Sequence, residues 1–159
     1  MGQTILARRS FLITGAALVA TAVVPGVARA GTPVLHVMKD PGCGCCDAWI
    51  DILRRDSFEV TAEHIAHGAL LRFKRANGIP DAMASCHTGR IGGYMIEGHV
   101  PAADIRRLLD ERPDAVGLAV PGMPWGSPGM GPEAEREAYD VHLILRDGRT
   151  EVFTRHEAA

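Results

Sequence analysis

An α/β sandwich is what the sequence predicts, and three observations predict it. From residue 32 onward, short apolar runs alternate with segments of helical period. Their order is strand, helix, strand, helix, then strands around a third helix. Three of the four cysteines, Cys43, Cys45 and Cys46, fall within four residues at the junction of the first strand and first helix. Together these outline a thioredoxin-like sandwich with a mixed sheet, a likeness of fold that assigns no activity by itself.

Each element has its own signal. Thr32 to Lys39 reads as a strand, since Val34, Leu35, Val37 and Met38 make a near-continuous apolar run. Asp40-Pro41-Gly42 breaks it. From Cys45 to Arg55 the apolar spacing becomes helical at Trp49, Ile52 and Leu53, with Arg54 and Arg55 where cations suit a helix C-terminus. Phe58 to Ile65 alternates as a second strand. Ala69 to Ala76 is a second helix, ended by Asn77-Gly78 with Pro80 beyond. Gly89-Arg90-Ile91 and Tyr94-Met95-Ile96 form a strand pair turning at Gly92-Gly93. Pro101 opens a third helix with Ile105, Leu108 and Leu109 as its apolar stripe. A long loop, Pro121 to Met130, follows. The chain closes with a hairpin of Val141 to Leu145 and Glu151 to Thr154, turning at Asp147-Gly148.

Residues 1–30 read as an address. Arg8-Arg9-Ser10-Phe11-Leu12 is a twin-arginine pattern, Phe11 to Val24 is apolar and uncharged, and Ala28-Arg29-Ala30 offers small residues where a signal peptidase reads. The apolar run is short of the ~20 residues that span a bilayer as a helix, so a cleavable signal is expected rather than a membrane anchor. Export to a bacterial periplasm through the twin-arginine route, with cleavage after Ala30, leaves residues 31–159 as a single domain. That part carries 14 basic against 19 acidic side chains. A net charge of −5 argues against nucleic acid or an anionic membrane as partner and mildly favours cationic ligands.

The thiols carry the chemistry. Cys43 and Cys46 have Cys-x-x-Cys spacing across a helix start, where unpaired backbone N–H groups and the helix dipole favour thiolates. Such placement pulls a cysteine pKa from ~8.5 into the ~3.5–7.5 range. The spacing serves disulfide exchange and metal binding alike. Cys45 favours metal, because a third thiol would scramble a redox pair but can bridge ions. Cys86, about forty residues on, is expected to fold back beside the loop with His87. Soft thiolates, with Met123 and Met130 in the Gly/Pro-rich loop, favour Cu(I). Zinc fits less well, because three ligands crowd into one loop, and iron–sulfur clusters follow other spacings. His87 and His99 are candidates as ligands or as supports for them. His36 reads as a hydrogen-bonded sheet residue, and His64, His67, His142 and His156 as surface or structural residues. No Ser/His/Asp arrangement, carboxylate pair or phosphate-cradling loop stands out.

Four segments resemble the CopG-like copper-resistance family: Cys43-Gly44-Cys45-Cys46; Ser85-Cys86-His87-Thr88; Gly93 to Pro101; and Gly117 to Pro124 with Gly126 to Met130. The resemblance spans roughly residues 34 to 154 and implies a periplasmic, thioredoxin-like, copper-binding protein. By position it implies Cys43, Cys45, Cys46 and Cys86 as ligands, with Met123, Met130 and a nearby histidine, His87, assisting. Copper ions are then the partner, held as Cu(I) in a site of one or several ions, alongside other periplasmic copper-handling proteins. Sequestration, with a change of copper's oxidation state as an added activity, is the first reading. A thiol–disulfide oxidoreductase attacking through Cys43 and resolving through Cys46 is the second. Against it stand the third thiol and a cysteine, Cys86, where redox members of the fold place a cis-proline. A disulfide-stapled domain without metal is the third.

Overall fold

The computed structural model describes residues 33–159, so the twin-arginine segment and its cleavage site lie outside the described residues. Seven strands form one mixed sheet in the order β2-β1-β3-β4-β5-β6-β7. The strands are β1 (Leu35–Lys39), β2 (Val60–His64), β3 (His87–Ile91), β4 (Tyr94–Glu97), β5 (Ala115–Ala119), β6 (Tyr139–Leu145) and β7 (Thr150–His156). The helices are α1 (Gly44–Arg55), α2 (His67–Ala76) and α3 (Ala102–Glu111). Two neighbouring pairs, β1–β2 and β4–β5, are parallel and are joined through α1 and α3; the other neighbours are antiparallel.

Side chains alternate across the sheet, and the core divides accordingly. Leu35, Ile96 and Leu118 face one side with Trp49, Ile50 and Leu53 of α1 and Ile105 and Leu108 of α3. Met95, Ala119 and Ile144 face the other with Ile79 and, from α2, Phe73. In α1 the buried stripe is Cys46, Trp49, Ile50 and Leu53, one helical face. Cys46 therefore belongs to the core as well as to the thiol loop. The end of α2 is a left-handed cap. Gly78 has φ +78°, its N–H bonds the Arg75 carbonyl, and Ile79 N–H bonds the Lys74 carbonyl. Both glycines of the β3–β4 turn, Gly92 and Gly93, have positive φ, as a tight hairpin turn of this twist requires.

Most elements stand where periodicity places them, with bounds shifted by a few residues. One strand has no counterpart in the sequence reading. β5 (Ala115–Ala119) is central, parallel to β4, and buried at Ala115, Gly117, Leu118 and Ala119. A strand covered on both faces shows no apolar–polar alternation, and its three small residues weaken any apolar run. Gly117 pairs with Met95, whose carbonyl leaves no room there for a side chain. Among the described residues no helix is long and apolar enough to cross a membrane.

Candidate metal centre

The thiol loop is set by the end of β1. Asp40 turns the chain by accepting the Gly42 N–H on its side chain at 2.9 Å and the Cys43 N–H on its carbonyl at 3.2 Å. Cys43 then caps α1 in an extended conformation. Lys39, buried at the strand end, reaches under the loop. Its Nζ donates to the Cys43 carbonyl at 3.4 Å and the Asp40 carbonyl at 3.2 Å, and pairs with Asp47 at 3.1 Å. The cation thus ties the strand end, the loop and the first helical turn together.

The sulfurs converge. Cys43 and Cys46 form a disulfide with a Cα–Cα distance of 5.4 Å. Cys45 and Cys86 are free. Cys45 Sγ lies 3.5 Å from Cys43 Sγ and 4.0 Å from Cys86 Sγ. All four sulfurs fall within 4.8 Å of one another, so the residue forty positions downstream does fold back onto the loop. Cys86 arrives on the segment that leads into β3, which pairs with β1 down to the Lys39–His87 register and so ends beside the start of α1.

Two imidazoles complete the cluster. His87 Nδ1 lies 3.3 Å and His99 Nε2 3.1 Å from Cys86 Sγ. The other nitrogen of His99, Nδ1, lies 2.7 Å from the Pro128 carbonyl. A carbonyl only accepts, so Nδ1 carries the proton and the neutral ring turns the Nε2 lone pair toward the sulfur. His87 is fully buried, its ring centroid 4.3 Å from that of Trp49, and its Nε2 has no hydrogen-bond partner. A buried nitrogen without a partner is uncommon in a folded protein, and here it is the one other than the Nδ1 that faces Cys86. Burial holds both rings below the ordinary histidine range. The nearby His99, Lys74 and Lys39 add to this at His87, and the Pro128 hydrogen bond opposes it at His99. Both are therefore neutral at pH 7, the form that ligates a metal.

A helix start that favours thiolates at Cys43 and Cys46 does not do so at Cys86. Burial, then the neighbouring Cys45, push its pKa up to about 12. Desolvation there outweighs any help from the helix dipole.

The Gly/Pro loop packs onto the cluster through its backbone. A Cβ on Gly129 would come within 2.7 Å of the Trp49 nitrogen and 3.0 Å of the Cys45 carbonyl oxygen. Ser85 Oγ donates to the Gly122 carbonyl at 2.6 Å, which ties the other end of the loop to the Cys86 segment. Met123 follows Gly122 and is 52% exposed; Met130 follows Gly129 and is half-buried. Both methionines flank the loop's anchor points, and the cluster itself is built from Cys43, Cys45, Cys46, Cys86, His87 and His99.

Three polar side chains of this region escaped the sequence reading: Lys39, Lys74 and Glu97, all buried. One sequence signal was available, a glutamate closing the apolar run Tyr94-Met95-Ile96. His36 is exposed and hydrogen-bonded to Thr61 Oγ1 at 2.8 Å, the sheet role expected of it. His156 pairs with Asp104 at 2.8 Å and stacks on Tyr139, a structural setting.

The chain is similar to known proteins at two levels. A family described as "Protein of unknown function, DUF411" matches residues 83–130. Two solved structures, described as copper resistance protein copG, forms 1 and 2, are each 45% identical to it. They superpose with TM-scores of 0.73 and 0.72, cover 79% and 78% of this chain, and are themselves covered over 99% and 98% of their length. No curated protein matches the chain.

Proposed function

The chain belongs to the CopG-like copper-resistance family, and from that premise we propose that it binds and sequesters copper as Cu(I) through Cys43, Cys45, Cys46 and Cys86. The observation that carries this reading is the convergence of four sulfurs within 4.8 Å, one of them from a distant segment. Crowded sulfur is a soft donor set that suits Cu(I) and lets thiolates bridge several ions. His99 and His87 add nitrogen donors beside Cys86. Nitrogen also suits Cu(II), so the reading includes one-electron change of the held copper with an external donor or acceptor. Met123 and Met130 are placed in the reading as thioethers at the rim.

The disulfide state bears on the reading. With Cys43 and Cys46 joined, only Cys45 and Cys86 can bind as thiolates. Opening the pair takes two electrons and two protons from a dithiol-type reductant, after which four sulfurs can bind. Lys39 beneath the loop and the N–H groups at the start of α1 favour the negative charge this creates. At Cys86 the metal must displace a proton from a thiol that burial keeps protonated.

The strand order β2-β1-β3-β4 flanked by α1, α2 and α3 supports a thioredoxin-like core, to which β5, β6 and β7 are added. The twin-arginine pattern at Arg8-Arg9 supports a cleaved signal and a periplasmic site of action, where other copper-handling proteins would supply or receive the ion.

A second reading has its own observation. The Cys43–Cys46 disulfide at the start of α1, with Cys46 buried and Cys43 partly exposed, also suits thiol–disulfide exchange. Exchange predicts disulfide reduction that survives loss of Cys45 and Cys86. Copper analysis of protein purified after copper exposure separates the two. At least one equivalent, lost on Cys46→Ser, supports sequestration; less than one equivalent, unchanged in that variant, rules it out.

A further inference from the structure

Glu97 is a carboxylate with no exposure at the end of β4, directly opposite Thr88 on β3. Its Oε1 accepts the Ser85 backbone N–H at 2.5 Å and Lys74 Nζ at 2.5 Å. Its Oε2 accepts the Thr88 hydroxyl at 2.6 Å. Lys74, 2% exposed on α2, also donates to Thr88 Oγ1 at 2.8 Å. The two residues that Glu97 holds, Ser85 and Thr88, bracket Cys86-His87. One carboxylate therefore grips the cysteine segment on both sides. It sits two residues before His99, the ring that faces the same sulfur. The intervening Gly98 lets the segment close up, since a Cβ there would meet Ser85 Cβ at 2.7 Å and the Val120 carbonyl at 2.6 Å.

A buried ion pair is weak evidence for a stabilising role. Taking two charges out of water costs much of what their attraction returns, and apolar residues of similar volume commonly do as well. What the pair supplies is a fixed place for the backbone on either side of one sulfur, the role that outer hydrogen bonds play at metal sites.

We propose that Lys74 and Glu97 are positioning residues for the metal centre: by clamping Ser85 and Thr88 they hold Cys86 Sγ against His99 and Cys45 before a metal arrives. This rests on the metal-binding reading above. Removing Glu97 alone strands a buried lysine, so the informative variant replaces both, Lys74→Met with Glu97→Leu. Glu97→Gln, which keeps an acceptor for Ser85 and Lys74, is the conservative companion.

Two measurements on the reduced, full-length protein decide the matter. One is the rate at which iodoacetamide modifies Cys86 in the metal-free state, located by mass spectrometry. The other is Cu(I) affinity against a chelator. The double variant is expected to stay folded, to expose Cys86 to faster alkylation, and to lose about 10–100-fold in Cu(I) affinity. Glu97→Gln, which keeps the Ser85 acceptor but not the one for Thr88, is expected to fall between wild type and the double variant in both. A folded double variant with wild-type alkylation and wild-type affinity overturns the proposal, and so does failure of the double variant to fold, which would make the pair a fold stabiliser. Cys86→Ser separates the layers. If that variant binds copper as tightly as wild type, the metal reading fails, and the alkylation rate alone still decides whether the clamp exists.

Discussion

Nε2 of His99 lies 3.1 Å from Sγ of Cys86, while Nδ1 of the same ring is held 2.7 Å from the Pro128 carbonyl. The second contact fixes what the first can do. It places the proton on Nδ1 and leaves a lone pair facing the sulfur, so His99 is a ready nitrogen donor or acceptor beside Cys86. The same contact ties the Gly/Pro loop to the thiols. Replacing His99 with Gln removes the imidazole lone pair while keeping bulk and polarity. Cu(I) affinity, measured against a competing chelator, is expected to fall about 10–100-fold with the far-ultraviolet dichroism unchanged. Unaltered affinity would remove His99 from the centre.

Gly129 tests the loop from the backbone side. Its φ is +86° and a Cβ would stand 2.7 Å from the Trp49 nitrogen. Gly129→Ala must strain that conformation or lift the loop from α1, at about 1–3 kcal/mol. Urea denaturation of the metal-free protein should show the loss. Because Pro128 moves with the loop, copper affinity should fall as well.

Stability of the metal-free protein should drop in acid. Both His87 and His99 have folded pKa values below the ordinary 6.5. Above that pH the rings are neutral folded and unfolded, and nothing is lost. Below it the unfolded chain takes up protons that the folded chain refuses, so stability declines until the folded pKa values are reached. Each ring contributes at most about 1.4 kcal/mol per pH unit. Denaturation curves at pH 7.5 and pH 5.5 check this, and His99→Gln should shrink the difference.

Copper affinity should move with pH in the same sense for a different reason. Burial pushes Cys86 to about 12, so its proton is still in place at neutral pH and copper must displace it. Each proton displaced makes apparent affinity rise about tenfold per pH unit. Titrations at pH 6.5 and pH 7.5 read the slope, and Cys86→Ser should lower it.

Thiol counting in denaturant tests the disulfide. Protein isolated without reductant should give two reactive thiols, Cys45 and Cys86, and reduced protein four. Only the reduced form should bind copper at full stoichiometry.

Local signals in the chain were enough to read much of this. The helical spacing around Trp49 and Leu53, the Gly92-Gly93 turn and the Asn77-Gly78 stop all mark elements through nearby residues. β5 was hidden because a doubly covered strand of small residues has no alternation, and Gly117 owes its place to the Met95 carbonyl of a neighbouring strand. The thiol cluster was legible because three of its sulfurs are adjacent in sequence and the fourth follows from strand order. The ranking of its histidines was not. His99 is distinguished from His87 by a carbonyl at residue 128, and no spacing carries that contact. Lys74 and Glu97 stayed hidden for the same reason, since a charged residue reads as solvated until its partner is located.

The central claim is that one sulfur from a distant segment completes a copper site with the three at the start of α1. Anaerobic Cu(I) titration of reduced protein against a strong chelator, run for wild type and Cys86→Ser with thiols counted before and after, tests it most directly. The account predicts at least one tightly held copper per wild-type chain, all four thiols protected when loaded, and markedly weaker binding in the variant. Equal copper uptake by the two proteins, or a loaded wild type whose Cys86 still reacts freely, would contradict it.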